Sequence, residues 1–332
     1  MRKNLRSEKE IMSFWQGDVS KPLVSISCTT YNHEKFIEDA LEGFLIQETD
    51  FPFEIIIHDD ASTDRTQDII KEYQYAYPNL IRTILQTENQ YSEGRKPGGF
   101  LFSAYQGKYV ANCEGDDYWT DKDKLQIQVG FLEQHPEYVI SCHDATIIDS
   151  SGNVLSKQKL PSSCRRDFDE NELLSGRAWI LTMSRVYRRE ISRIPESKYI
   201  KNGDTFFAAL MGLHGKCKFH PEISPAMYRV HDGGIWSSTS QEDRTDDHIN
   251  TWFWMYRYFK RTGNEKYADL YFRRCFQQLS ANIPLYVIFT TFIKRMFFFN
   301  SFKNLAIRKL GLNRLRSLRD SFSDRLRRTP KK

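Results

Sequence analysis

Residues 53–66 of the chain read FEIIIHDDASTDRT. The run Phe53–Ile57 is apolar and rich in β-branched isoleucine, which fits a pleated, buried surface, and it stops abruptly at His58-Asp59-Asp60. Beyond the acids, Thr66–Tyr77 carries apolar residues at helical spacing. Strand, polar loop and helix follow one another, and the same order recurs on both sides. Upstream, Leu23–Cys28 (LVSISC) follows Pro22 and breaks at Thr29-Thr30-Tyr31-Asn32. It leads into a helix with apolar Phe36, Ile37, Ala40, Leu41, Phe44 and Leu45, for which Asn32 is the expected cap. Downstream, Ile81–Leu85 is a third strand and Tyr109–Cys113 a fourth, ended by Glu114-Gly115-Asp116-Asp117.

Strands alternating with helices in this way predict an α/β fold, a mostly parallel sheet flanked by helices on both faces. Such sheets bind ligands beyond the carboxyl ends of their strands. The clusters Thr29–Asn32, Asp59–Asp64 and Glu114–Asp117 all fall at those ends and are expected to line one crevice. After Tyr118 the pattern is less regular, with a helix at Leu125–His135, a strand at Tyr138–Cys142 and a turn at Ser150–Asn153. Two further polar foci follow, Asn202-Gly203-Asp204 and Tyr228–Gly234, and then an aromatic-rich helical stretch from 245 to 282. The expected division is an N-terminal extension (1–21), a catalytic domain (22–240, with halves 22–132 and 133–240), a helical region (241–282) and a basic amphipathic tail (283–332).

A composition of 40% hydrophobic and 27% charged residues over 332 positions supplies a normal apolar core. The six cysteines are widely spaced and include no CxxC pair, so reduced thiols in the core are expected. The first 21 residues lack the apolar run of a secretory signal, which leads to the expectation of a cytoplasmic protein. Residues 294–332 hold thirteen Lys or Arg against Asp320 and Asp324, a balance of +11, which leaves −6 on the remainder of a chain whose total is +5. An acidic body excludes nucleic acid as its partner, whereas a basic tail suits an anionic membrane surface. The apolar run Ile283–Ile293 has eleven residues, too few for a span of about 20. The tail is therefore expected to lie on the inner face of the membrane as a peripheral helix, packing against the catalytic domain being the other possibility.

Glu114, Asp116 and Asp117 directly follow a strand. Clustered carboxylates repel one another unless a cation neutralises them, and oxygen ligands suit Mg²⁺ or Mn²⁺. On those residues alone a solvated acidic turn is as good a reading. The wider context is a resemblance: VSISCTTYNHEKFIEDALEGFLIQ (24–47), EIIIHDDASTDRT (54–66) and GKYVANCEGDDYWTDKDKLQIQ (107–128) resemble the consecutive signatures of the family 2 glycosyltransferases of bacterial polysaccharide type. The resemblance is dense over 22–132 and continues to about 236 through NGD and YRVHDGG.

The resemblance implies the GT-A nucleotide-diphospho-sugar transferase fold with a helical, basic C-terminal extension. It also implies an inverting transfer from a nucleotide-diphosphate sugar to a saccharide or lipid-linked saccharide in surface polysaccharide synthesis. Thr29 and Tyr31 would hold the nucleoside, and Asp60, assisted by Asp59, would accept a hydrogen bond from the base, typically uracil. Glu114 stands where the family usually has Asp, and would contact the ribose, or the metal through water. Asp116 is the foremost metal ligand, with Asp117 beside it and His231 contributing to the metal or diphosphate site. Arg95 and Lys96 would assist at the diphosphate, and Trp236 would line the acceptor site. Asp204 matches the catalytic base of inverting members, a helix N-cap being its other role. Ser62 and Thr63 are expected as a turn and cap for the next helix. Two other classes fit less well. A sugar nucleotidyltransferase would need a glycine-rich first loop, which CTTYNHEKF lacks, and a non-catalytic sugar-binding protein would not need Asp60, Asp116 and Asp204.

Overall fold

The computed structural model describes residues 5–189, 194–234 and 240–282. Its main sheet forms because the apolar runs are hydrophobic on both faces. Every residue of β2 (Phe53–Asp59) is buried, and all but one of β1 (Val24–Thr30), as expected of central strands covered by helices on either side. β1 runs parallel to β2, with Val24 opposite Phe53 and Thr30 opposite Asp59. On its other side it runs parallel to β4 (Tyr109–Glu114), with Thr29 opposite Glu114. β3 (Ile81–Leu85) extends the parallel set beyond β2.

Among the described residues the sheet has seven strands in the order β3-β2-β1-β4-β8-β5-β9, where β5 is Tyr138–Cys142, β8 Val186–Arg188 and β9 Lys216–Phe219. β8 is antiparallel to both neighbours, a reversal the sequence did not announce. Between the strands lie α2 (Ile37–Leu45), α3 (Thr66–Ala76), α4 (Gly98–Ala104) and α5 (Lys124–Gln134). The first helical residue of α5, Lys124, is fully buried. Its ammonium sits 4.2 Å over the Trp119 ring and donates to Gln128 Oε1 at 2.6 Å, and burial pulls its pKa down to about 7. A second sheet of three strands has the order β10-β6-β7, with β6 Ala145–Asp149, β7 Val154–Ser156 and β10 Ala226–Val230.

Two local expectations change. The helix after β1 starts at Ile37 with Phe36 in the cap position and no side-chain cap. Asn32 instead takes a left-handed φ of +55°, a conformation Asn tolerates better than most residues, and its Oδ1 accepts the Thr63 N–H at 2.8 Å. Ser62 and Thr63 likewise do not cap α3. Its first N–H, from Thr66, goes to Asp64 Oδ1 at 3.0 Å, and Ser62 Oγ bridges between Asp59 and the Asn32 N–H.

The N-terminal stretch packs onto the domain. α1 (Glu8–Met12) opens with a Ser7–Glu10 capping box and buries Ile11, and Trp15 meets Phe53 edge-on at 5.3 Å. At the other end, α8 (Gln241–Arg261) is capped by Ser240 and buries Met255, Tyr258 and Phe259 against Phe206 and Leu210 of α7 (Gly203–Met211). α9 (Glu265–Asn282) follows, and α6 (Glu170–Leu174) joins the same cluster through Leu174. The chain divides into two compact units, 1–271 and 272–332. All six cysteines are free thiols, five of them buried. The expected tail, 283–332, and Trp236 lie outside the described residues. Among the described residues no helix is long and apolar enough to cross a membrane.

Candidate active site

The parallel register brings the three polar clusters to one edge, since Thr29 is paired with both His58 and Glu114. Backbone bonds knit the loops together: the Gly115 N–H donates to Thr29 O at 2.9 Å and the Asp60 N–H to Thr30 O at 3.0 Å. Side chains complete the seam. The Asn32 N–H donates to Ser62 Oγ and the His33 N–H to Thr66 Oγ1, each at 2.8 Å. Gly115 is required by space: a Cβ there would lie 2.7 Å from the Thr30 side chain and 3.0 Å from Ile37 Cδ1. Gly115→Ala is expected to cost about 1–3 kcal/mol through overpacking, measured by urea denaturation.

The two acids after β2 do different work. Asp59 is buried and turned inward, accepting from the Ser62 N–H at 2.9 Å and Gln67 Nε2 at 2.6 Å. Asp60 accepts the Gln90 N–H at 2.8 Å on one oxygen and the Tyr91 N–H at 2.9 Å on the other, fixing the loop after β3 while each oxygen keeps a further lone pair. The Tyr31 ring is 43% exposed at the mouth. The Arg95 side chain is exposed, and the Lys96 ammonium donates to the Ile200 carbonyl, just before α7.

The acidic loop meets β10 through an antiparallel bridge in which Tyr118 and Met227 exchange N–H···O bonds of 3.2 and 2.8 Å. Arg229 locks this junction. Its N–H donates to Asp117 Oδ1 at 2.8 Å, its Nε to the Asp116 carbonyl at 3.0 Å, and its guanidinium pairs with Asp39 at 2.8 Å. Two residues later, His231 Nε2 lies 3.1 Å from Asp116 Oδ2. His33, which the sequence reading passed over, brings its Nε2 to 3.9 Å from the same oxygen. The ligand atoms of His33, Asp116 and His231 all lie within 4.8 Å of one another. Asp117, expected beside Asp116 as a ligand, is instead buried against the Arg229 backbone and is not in this trio.

Electrostatics set the acids apart. Burial pushes Glu114 up to about 8, with the Asp116 and Asp204 carboxylates adding to the rise and Arg185 opposing it. Burial also carries Asp117 well above the usual carboxylate range, helped by Asp116 and Glu114. For Asp116 burial again acts upward, but the His231 hydrogen bond and the neighbouring His33 outweigh it and hold the carboxyl below its ordinary value. Burial lowers the His33 pKa, with Asp116 opposing. Carboxylates that cannot all ionise, next to an imidazole held neutral, are a setting that a divalent cation relieves.

Across the crevice, Asn202 caps α7 by accepting the Thr205 N–H at 3.2 Å, so Asp204 is free of that duty. Its side chain is 56% exposed and takes 3.0 Å hydrogen bonds from Arg185 Nη1 and Thr182 Oγ1. The Arg185 Nε donates to Asn112 Oδ1 at 3.1 Å, tying Asp204 to the strand that carries Glu114. Arg185 is the second residue missed from the sequence. Its one signal there, a basic residue before a short apolar run, does not distinguish it from a surface charge.

Comparison with known proteins gives the same architecture. The family model described as glycosyl transferase family 2 matches residues 25–194. An uncharacterized protein of Mycobacterium tuberculosis is 40% identical over 221 residues, 67% of this chain and 62% of its own length. The poly(ribitol-phosphate) β-N-acetylglucosaminyltransferase TarS of Staphylococcus aureus is 26% identical over 187 residues, 55% of this chain and 29% of its own. The chain thus spans less than two thirds of the length of these curated relatives. A crystal structure of TarS 1–349 in complex with UDP-GlcNAc aligns with a TM-score of 0.51 at 20% identity, covering 70% of this chain and 66% of that one. The mannosyltransferase PcManGT of Pyrobaculum calidifontis, in complex with GDP-Man and Mn²⁺, aligns with a TM-score of 0.51 at 16% identity, covering 86% and 83%. Both likenesses are of fold, the GT-A arrangement of a mostly parallel sheet flanked by helices.

Proposed function

The chain belongs to glycosyl transferase family 2, and on that premise we propose that it moves a sugar from a UDP-sugar to a hydroxyl of a saccharide or lipid-linked saccharide, with inversion at the anomeric carbon, in surface polysaccharide synthesis. The observation that carries this is that two carboxylates are tied to one strand and both act on Glu114 at its end: Asp116, two residues beyond β4, and Asp204, held through Arg185 to Asn112 of β4. The UDP donor and the polymer setting find support in TarS, which acts on poly(ribitol-phosphate) and whose structure holds UDP-GlcNAc.

A divalent cation fits the donor set, because Asp116 Oδ2 and His231 Nε2 already converge at 3.1 Å beside carboxyl groups whose charges oppose one another. Asp116 and His231 would hold it, and Mg²⁺ or Mn²⁺ bound there would stabilise the charge on the departing nucleoside diphosphate. The remaining steps belong to side chains. Tyr31 offers a ring to the base, and Asp60 uses its free lone pairs to accept from the base N–H. Thr29 and Glu114 lie beside the ribose. Asp204 takes the proton of the acceptor hydroxyl as that oxygen attacks from the face opposite the diphosphate, while Arg185 and Thr182 hold the carboxylate in position.

A thermal-shift screen tests the donor. A UDP-sugar at 100 times its dissociation constant should stabilise the protein by about 2.7 kcal/mol with Mn²⁺, and far less with EDTA. A shift with GDP-mannose and none with UDP-sugars would overturn the UDP assignment.

Residues 283–332 hold the enzyme at the anionic inner face of the membrane, beside its lipid-borne acceptor, each basic residue contributing about 1 kcal/mol near the surface. Truncation after Asn282 is expected to keep metal-dependent donor binding and to abolish flotation with anionic liposomes at low salt. Equal flotation of truncated and full-length protein would remove the membrane role.

A further inference from the structure

We propose that His33 is a third protein ligand of the divalent cation, so that the ion sits between two imidazoles and one carboxylate and the site selects Mn²⁺ over Mg²⁺. The inference rests on the metal-dependent reading above and extends it to a residue of the nucleoside-binding loop.

His33 is aimed by its backbone. Its N–H is held by Thr66 Oγ1 at 2.8 Å, and on either side the Asn32 and Glu34 N–H groups are held by Ser62 Oγ at 2.8 Å and Asp64 Oδ2 at 3.0 Å. Three successive amides anchored to the loop after β2 and to the first residue of α3 leave the side chain little freedom of direction, and it points at Asp116. The two histidine rings stand edge to face, 5.8 Å between centroids, and both present Nε2 to Asp116 Oδ2. Yet only His231 is close enough to hydrogen-bond, because 3.9 Å from His33 Nε2 is beyond that range. The other nitrogen, His33 Nδ1, is buried with no hydrogen-bond partner. No protein hydrogen bond at either ring nitrogen therefore accounts for the ring's direction, and Nε2 is left available to an ion. An imidazole that faces a carboxylate without bonding to it, with all three ligand atoms within 4.8 Å, has the arrangement of a chelate.

Metal preference follows from the donor atoms. Mg²⁺ demands oxygen ligands and keeps its waters, whereas imidazole nitrogen suits transition metals, so two imidazoles weaken Mg²⁺ relative to Mn²⁺.

The test uses the full chain and Mn²⁺ alone, without donor. Pulsed electron paramagnetic resonance of the bound ion should show nitrogen couplings from two imidazoles in the wild type and from one in either His33→Gln or His231→Gln. His33→Gln should weaken Mn²⁺ at least about tenfold, and Mg²⁺ by less. Its metal-free melting temperature should fall only modestly, because the ring makes no hydrogen bond and loses only its contacts with the Phe36 and His231 rings. Coupling from a single imidazole in the wild type would overturn the proposal and leave the metal-dependent reading standing, and that count does not depend on any variant folding. Absence of protein-bound Mn²⁺ without donor would overturn the three-ligand site, and its absence with UDP-sugar present would overturn the metal-dependent reading as well.

Discussion

Asp204→Asn is expected to bind donor as the wild type does and to transfer sugar at least about a hundredfold more slowly, the lower end of what general base catalysis contributes. Asparagine keeps the shape of the side chain, and its oxygen can still accept from Arg185, so the helix start and its tie to β4 survive. Only the capacity to take a proton is lost. The helix itself does not depend on Asp204, because Asn202 supplies the cap. The loss should therefore appear in kcat while donor affinity, read by Mn²⁺-dependent titration, stays level. Near-normal turnover would remove Asp204 from the chemistry.

Asp116→Ala should be at least as severe. Stabilisation of leaving-group charge by a bound cation is worth several kcal/mol, and about 4 kcal/mol corresponds to about a thousandfold in rate. Without this carboxylate the Mn²⁺-dependent thermal shift with UDP-sugar should vanish together with transfer. The fold should persist. Among the described residues the Asp116 side chain's one inter-side-chain hydrogen bond is with His231, and its removal relieves repulsion on Glu114 and Asp117, whose carboxyls it helps to push upward. Full activity in excess EDTA would contradict the assignment, as would unchanged transfer by the variant.

What the sequence made legible is what local periodicity controls. β1, β2 and β4 are visible as apolar runs because they are interior strands, β3 is visible at the sheet's edge because its short run keeps Ile81, Ile84 and Leu85, and the polar loops after β1, β2 and β4 could be assigned to one edge by the rule for parallel sheets. β8 was invisible although it too is an interior strand. Three residues wedged antiparallel between β4 and β5 carry no period of their own, and their place is decided by partners distant in sequence. The same limit applies in the site. Asp116 and Asp204 were legible through motif position, but nothing near His33 in the sequence points to Asp116, and nothing near Arg185 points to Asp204. Those pairings exist only once β1, β4 and α7 share an edge. Asn32 shows the converse error: a residue well suited to cap a helix is used across loops, because a left-handed turn sends its side chain to Thr63.

His231 follows directly on β10, a strand of the small sheet that ends at Val230. That sheet touches the acidic loop through the Tyr118–Met227 bridge and the Arg229 N–H on Asp117. On the proposed reading, an ion that requires both Asp116 and His231 is a clasp between two sheets. Its affinity and the closure of their junction are then reciprocal quantities. Amides of β10 should exchange with deuterium more slowly in Mn²⁺ than in chelator, and a packing defect in β6, remote from any nucleotide, should surface as a weaker appetite for metal.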